Sequence, residues 1–250
     1  MRAEFSGRHA LVSGGSRGIG RAIAAALTEA GASVTILGRD ERALRAAVDA
    51  KAAAHYVNAD VTNGSECRAA IARAGERQPI DILVANAGGA ESAPFAKSDE
   101  QLVRRMLDLN FMSVVHTAQA VLGGMTGRGF GRIVAVASLA GLKGYAYVSA
   151  YCAAKHATVG LVRALALETE GTGVTVNAVC PGYADTDLVR ESVARIVQKT
   201  GRTEEAALGA MLGAEQQRLL TPAEVAEAVL AFCDPNNTAS GEAMPLYGRA

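Results

Sequence analysis

Two stretches of this chain, Ile82-Leu83-Val84-Ala85 and Ile133-Val134-Ala135-Val136, are apolar at every position. A strand with one wet face alternates polar and apolar residues, so an unbroken apolar run is a strand covered on both faces. That is how strands of a parallel sheet between helical layers read. Strand candidates fall at 9–13, 33–37, 55–59, 81–85, 132–137 and 173–179, with a weaker one near 242–247. Between them lie Ala-rich stretches of helical period near 18–30, 39–50, 64–74, 98–122 and 148–170. Strand–helix alternation of this kind builds right-handed β-α-β units. It predicts a doubly wound α/β fold of about seven parallel strands with helices on both faces.

The rhythm breaks after Pro181-Gly182. Residues 183–220 are helical in composition but carry no strand, and Thr221-Pro222-Ala223-Glu224 then reads as a helix start, with Thr as N-cap and Glu three residues on. The intervening stretch is expected to be a helical lid, or ordinary connecting helices, over the carboxyl edge of the sheet. Its charges balance, with Arg190, Arg195, Lys199, Arg202 and Arg218 against Asp187, Glu191, Glu204, Glu205 and Glu215, and make no case for an anion-binding lid. No linker or repeat divides the 250 residues, so residues 1–250 are read as one domain with 183–220 inside it.

The first strand runs into Ser13-Gly14-Gly15-Ser16-Arg17-Gly18-Ile19-Gly20 and then a helix. Glycines here let the backbone approach a pyrophosphate, and the free N–H groups of the helix start favour an anion. The turn points to a dinucleotide, and the second strand to which one. An NAD site ends that strand with an acidic residue for the ribose hydroxyls. This strand instead ends Gly38-Arg39-Asp40. Arg39 is suited to forking onto a 2′-phosphate, with Arg17 closing from the other side, so NADP(H) is expected over NAD(H). Asp40 keeps NAD open, or caps the next helix.

Tyr151 and Lys155 stand four residues apart in the helix predicted at 148–170, so they share a face. A phenol titrates near 10, and a neighbouring ammonium is expected to bring it down towards a useful acid–base range. Ser138 ends the fifth strand thirteen residues before Tyr151. Its hydroxyl is placed to orient a carbonyl or stabilise charge on oxygen.

The glycine turn, Asn110, Ser138, Tyr151 and Lys155 resemble, in order and spacing, the short-chain dehydrogenase/reductase family over essentially the whole chain. The resemblance implies a Rossmann-like fold and assigns Asn110, Ser138, Tyr151 and Lys155 as catalytic, with Asn110 holding a water that links the lysine to solvent. For the cofactor it implies Gly14, Ser16, Arg17, Gly18, Ile19, Gly20 and Arg39, together with Tyr151 and Lys155. Asp60, Val61, Asn86, Ala87 and Gly88 would line the adenosine, while Pro181, Gly182 and Thr186 would face the nicotinamide. It departs from the family at Ser13, where Thr is usual, at Ala85, where Asn is usual, and in the closing segment 240–248.

In detail the chain is similar to 3-oxoacyl-thioester reductases and aromatic-polyketide ketoreductases, notably over 173–182. The implied activity is NADP-dependent reduction of a ketone, such as a 3-oxoacyl thioester or a polyketide, to a secondary alcohol. An NAD-dependent secondary-alcohol or 3-hydroxyacyl dehydrogenase is the alternative, and a non-catalytic NADP-binding sensor or scaffold is the rival of another class. The second long helix carries Ala153, Ala157, Leu161, Ala164 and Leu165 in helical register, with one face for the sheet and another for a second subunit, and the resemblance implies a homotetramer or homodimer.

The remaining features exclude classes rather than add them. Zero formal net charge and no Trp give no nucleic-acid or membrane surface. Cys67, Cys152, Cys180 and Cys233 are scattered, so neither a metal site nor a disulfide scaffold is expected, and a cytoplasmic protein is the default. His9, His55, His116 and His156 read as structural or surface residues, and Gly123-Gly124 as a helix stop.

Overall fold

The computed structural model describes residues 4–213 and 216–249. Glu215, counted in the charge balance above, lies outside the described residues. The strands are β1 (His9–Ser13), β2 (Ser33–Gly38), β3 (His55–Asn58), β4 (Ile82–Ala85), β5 (Gly131–Val136), β6 (Val174–Pro181) and β7 (Ala243–Leu246). They form one parallel sheet of seven strands in the order β3-β2-β1-β4-β5-β6-β7. Every residue of β1, β4, β5 and β6 is buried, including the polar His9, Ser13, Arg132, Thr175 and Asn177. From β1 the chain winds outward through β2 and β3, then returns to build β4 on the other side. The crevice between the carboxyl ends of β1 and β4 is therefore the switch point where such folds bind ligands.

Successive side chains on a strand point to opposite faces, and each face carries its own core. On one side α1 (Gly18–Glu29) and α9 (Pro222–Cys233) bring Ile23, Leu27, Val225, Val229 and Phe232 against Val12, Val34, Val84 and Val134. On the other, α3 (Gly64–Gly75), α5 (Ser113–Arg128) and α6 (Ser149–Glu168) cover Leu11, Leu83, Ile133 and Val176. The remaining helices are α2 (Glu41–Asp49), α4 (Glu100–Leu107), α7 (Asp187–Thr200) and α8 (Glu204–Leu212).

Two expectations need correction. The helix predicted at 98–122 is α4 and α5 joined by a π-helical turn, Asp108–Met112, with Asn110 at its centre. Gly123-Gly124 does not stop it either. The helix runs on to Arg128 and ends at Gly129, whose φ of 69° is the left-handed stop. Packing decides this. Val121 and Met125 lie on the core face, and Met125, fully buried, occupies the space that a side chain at Gly131 would need. That burial outweighs the helix penalty of about 1 kcal/mol per glycine.

The excursion after β6 consists of α7 and α8. It is closed at its base by a bridge between Ala184 and Leu220, with Asp185 N–H donating to the Leu220 carbonyl at 2.8 Å. The chain then enters α9 through the predicted capping box: the Thr221 side chain accepts from Glu224 N–H, and the Glu224 carboxylate accepts from Thr221 N–H. Among the described residues no helix is long and apolar enough to cross a membrane. Met125→Ala should lower the unfolding free energy by about 2–5 kcal/mol, the range for a buried large-to-small change. Urea denaturation checks this.

Candidate active site

The glycine turn is held by side chains at the switch point. Asn86, just past β4, donates its amide to the carbonyls of Ser13 (3.0 Å) and Gly14 (3.2 Å). The Ser13 hydroxyl in turn accepts from the N–H groups of Asn86 (3.0 Å) and Ala87 (3.1 Å). Gly14 has a φ of 64°, and a Cβ there would press on Ala87 Cα at 3.0 Å, so glycine is required. Asn86 is thus spent on fastening the turn, and the hydroxyl that Ser13 retains does the same work.

Three observations bear on a dinucleotide. The first turn of α1 has no side-chain cap at Arg17, whereas Asp40, Asn63, Asp99, Thr203 and Thr221 cap their helices. Its N–H groups remain available to an anion. Gly18, with a φ of 53°, faces Thr186 across a narrow gap: a Cβ there would lie 3.4 Å from Thr186 Cγ2. That brings the start of α1 opposite the residues after Pro181 and Gly182. Ser16 and Ile19 are partly buried in the same turn, and Gly20 packs against Gly14 and Asn86. The residues present fit the group.

Arg17, at the start of α1, and Arg39, just past β2, are exposed. Arg39 reaches Asp60 at 3.5 Å, two-thirds of its side chain remaining in water. Asp60 also accepts from Thr62 N–H (2.9 Å) and hydroxyl (2.8 Å). Burial opposes ionisation of Asp60, but those donors and Arg39 together hold its carboxyl below the usual range. Val61 is buried and its carbonyl meets His116 Nδ1 at 2.9 Å. Asp40, the residue that kept NAD open, is the N-cap of α2 and accepts from Ala43 N–H at 3.1 Å.

Ser138, Tyr151, Lys155 and Asn110 converge beyond the carboxyl end of β5. Ser138 lies two residues past the strand and caps the short 3-10 turn Leu139–Gly141, its hydroxyl accepting from Ala140 N–H at 3.1 Å. Tyr151 is partly buried and its side chain interacts with that of Ser138. Lys155 is buried, donates to the Val136 carbonyl at 2.9 Å and sits 5.7 Å from the centre of the Tyr151 ring. Asn110 is fully buried. It donates to the carbonyls of Gly89 (2.9 Å) and Met106 (3.0 Å) and accepts from Gly89 N–H (3.1 Å). A Cβ on Gly88 would stand 2.8 Å from Asn110 Oδ1 and 3.5 Å from Lys155 Nζ, so only glycine leaves both groups facing one space.

One expectation about this site fails. Tyr151 is not brought down by Lys155; burial pushes its phenol up to about 12, with the Ser138 interaction pulling the other way. Burial likewise lowers Lys155 to about 8. The lysine has turned its ammonium onto the Val136 carbonyl, and desolvation acts on both groups in favour of the neutral form.

Sequence reading missed two contributors. Thr158, one further turn along α6 from Lys155, donates to the Asn110 carbonyl at 2.8 Å and so ties α6 to the π turn. Its only signal was the three-residue spacing to Lys155 on the buried face. The other is Tyr183, near enough to Tyr151 that the charge of one phenol disfavours that of the other. Its signal was position, two residues past the carboxyl end of β6.

Comparison with known proteins agrees with this geometry. The family model for short chain dehydrogenases matches residues 8–196. An acetoacetyl-CoA reductase of Rhizobium meliloti is 42% identical over 186 residues, 73% of this chain and 76% of that protein. A cis-4-hydroxycyclohexanecarboxylate dehydrogenase of Sinomonas cyclohexanicum is 39% identical over 237 residues, 92% and 90% of the two chains. Among solved structures, a point variant of actinorhodin polyketide ketoreductase with NADPH superposes with a TM-score of 0.91 at 34% identity, covering 99% of this chain and 98% of that one. With its parallel sheet, glycine turn and Ser-Tyr-Lys grouping, this chain belongs to the short-chain dehydrogenase/reductase family and is an oxidoreductase acting on hydroxyl and carbonyl groups.

Proposed function

We propose that this enzyme reduces a ketone to a secondary alcohol with NADPH, the ketone being a 3-oxoacyl thioester or a related polyketide ketone. The observation that carries the reading is the convergence of Ser138, Tyr151 and Lys155 at the same carboxyl edge of the sheet from which the uncapped α1 begins. When bound, NADPH supplies hydride. Ser138 and Tyr151 hold the carbonyl oxygen. Tyr151, kept protonated by burial, is a phenol that gives up its proton only as negative charge develops on that oxygen. Lys155 remains an ammonium near neutral pH and favours the phenolate left behind. Asn110 and Gly88 border the same space as Lys155 Nζ, and we assign Asn110 to carry the replacement proton from solvent through a water.

NADP preference rests on Arg39 and Arg17, with Asp40 committed to its cap. Asp60 and Val61 are assigned to the adenosine, as are Ala87 and Gly88. Gly14, Ser16, Gly18, Ile19 and Gly20 are assigned to the pyrophosphate, and Pro181, Gly182 and Thr186 to the nicotinamide. Asn86 serves this site by fastening the turn. Helices α7 and α8 within residues 183–220 are assigned as a lid inside a single domain spanning 1–250. The partly open apolar face of α6, where Leu167 is 75% exposed, is assigned to a homotetramer or homodimer contact of a cytoplasmic protein.

Initial rates with acetoacetyl-CoA should favour NADPH over NADH in kcat/KM. Arg39→Ala should cut the NADPH value about 10–100-fold, the worth of a charged hydrogen bond, and leave NADH nearly unchanged. Equal use of both cofactors by the wild type would refute the preference. Tyr151→Phe should lower kcat by about 10²–10⁴-fold while NADPH still binds, as nicotinamide fluorescence reports.

The pH dependence of stability follows from Lys155. Between about 8 and its unfolded value near 10.5, the unfolded chain holds this proton and the native chain does not. The contribution of Lys155 then rises with pH across that window, while the thiols of Cys67, Cys180 and Cys233, pushed up by burial, act the other way above about 9. Urea midpoints of the ligand-free protein should rise between about pH 8 and 9, and Lys155→Met should remove that rise.

A further inference from the structure

The excursion that carries α7 and α8 leaves the sheet after β6 and returns at 216–220, and its two stems meet the segment after β7 at one side chain. That side chain is Gln216, 5% exposed. Its Oε1 accepts from Tyr183 N–H at 2.9 Å, and its Nε2 donates to the carbonyls of Tyr183 (2.7 Å) and Arg218 (3.1 Å). Tyr183 N–H can only donate, so the amide has one orientation, with its oxygen towards that group and both of its own N–H donors used. The surroundings are cut to fit it. A Cβ on Gly182 would run into Gln216 Oε1, and one on Gly248 would stand 3.3 Å from Nε2. Gly248 in turn offers its carbonyl to the N–H groups of Gln217 (2.8 Å) and Arg218 (3.2 Å).

What Gln216 fastens continues into the cleft. The Tyr183 carbonyl also accepts from Leu220 N–H at 2.9 Å, and Ala184 forms a bridge with Leu220. Two residues further on, Thr186 is the residue that stands opposite Gly18 of the glycine turn. A buried amide costs free energy that an apolar side chain of the same size does not. Leucine or methionine would fill this space as well. An amide does what they cannot, because it holds the N–H and the carbonyl of one residue at once.

We propose that Gln216 is a positioning residue that sets the segment 183–186 against the glycine turn and so orients the nicotinamide half of the cofactor, leaving the adenosine half untouched. The inference rests on the reading that assigns Pro181, Gly182 and Thr186 to the nicotinamide. Gln216 acts through the backbone of Tyr183 and not on the reacting atoms. Its worth lies in placement, since a group displaced by about 1 Å can slow a reaction about 100-fold.

The test uses Gln216→Met and Gln216→Glu, which keep the length of the side chain and lose both N–H donors. In the cofactor-free variants hydrogen exchange should quicken at 183–186 and 216–220 and stay slow in β1 and β6. With NADPH both variants should lose much of the fluorescence gain that a held nicotinamide gives. The fragment 2′-phospho-ADP-ribose, which lacks the nicotinamide, should bind as it does to the wild type. NADH and ADP-ribose give the same comparison for a wild type that prefers NADH. The kcat with acetoacetyl-CoA should fall about 10–100-fold. The inference is overturned if the variants keep the wild-type fluorescence gain. It is equally overturned if cofactor and fragment weaken by one factor, or if exchange quickens throughout the sheet, the marks of a merely structural clasp. These arms need no substrate, so a wild type inert towards acetoacetyl-CoA would count against the substrate reading alone. A wild type that binds the reduced cofactor with no fluorescence gain would overturn the nicotinamide assignment, and this inference with it.

Discussion

The hydrogen bonds between Asn86 and the Ser13-Gly14 backbone join the two halves of the sheet at the point where the chain reverses its winding. β1 and β4 pair through only three residues, and beyond them the ladder gives way to this side-chain fastening. Without it the glycine turn would be held by β1 and by the bond from Gly14 N–H to the Leu37 carbonyl of β2, with no tie to β4. With it, the start of α1 is fixed relative to β4, and through β4 to β5 and Ser138. Two hydroxyl-accepted N–H groups and two amide-donated bonds therefore set the distance between the region that receives a phosphate and the region that receives a carbonyl.

Helix α6 sets the other dimension. Its buried face carries Lys155, Thr158, Val159 and Val162, and Gly141 leaves room for its backbone, since a Cβ there would meet the Lys155 carbonyl. A helix pressed this closely to the sheet edge brings Tyr151 and Lys155 to the cleft at the cost of desolvating both. Proximity of opposite charge and loss of water pull a phenol in opposite directions, and in this protein the loss of water wins. On the proposed reading the result suits reduction, because the acid arrives at the carbonyl with its proton still in place.

The parallel sheet was legible because burial on both faces makes β4 and residues 133–136 of β5 apolar throughout, and the glycine turn because a close backbone approach demands glycines. The capping box of α9 was legible for the same kind of reason, as both partners are local in sequence. What depended on tertiary packing was not. The helix passes through Gly123-Gly124 because Met125 fills a hole beneath Gly131, and no local pattern encodes that hole. Asp40 carried two equally sound local readings, and the bond from Ala43 N–H shows that it caps α2. Tyr183 reaches Tyr151 from the end of β6, far along the chain from the helix start that carries Tyr151, so spacing gives the pair no motif.

The π turn at Asp108–Met112 accommodates one residue more than an α-helical turn, and each residue advances an α-helix by about 100°. Asn110 is held there by Gly89 and Met106, while Leu109 and Asn110 offer their carbonyls to the hydroxyls of Ser113 and Thr158. Downstream, Val114, Ala118, Val121 and Met125 keep their own face on the core. The extra residue acts as a phase adjustment between two stretches that must each face a different target. Losing one residue from the turn would give a more regular helix with its core face intact on one side only. The rest would be rotated by about a quarter-turn or more, so Asn110 could not stay in the site while Met125 stayed in the core.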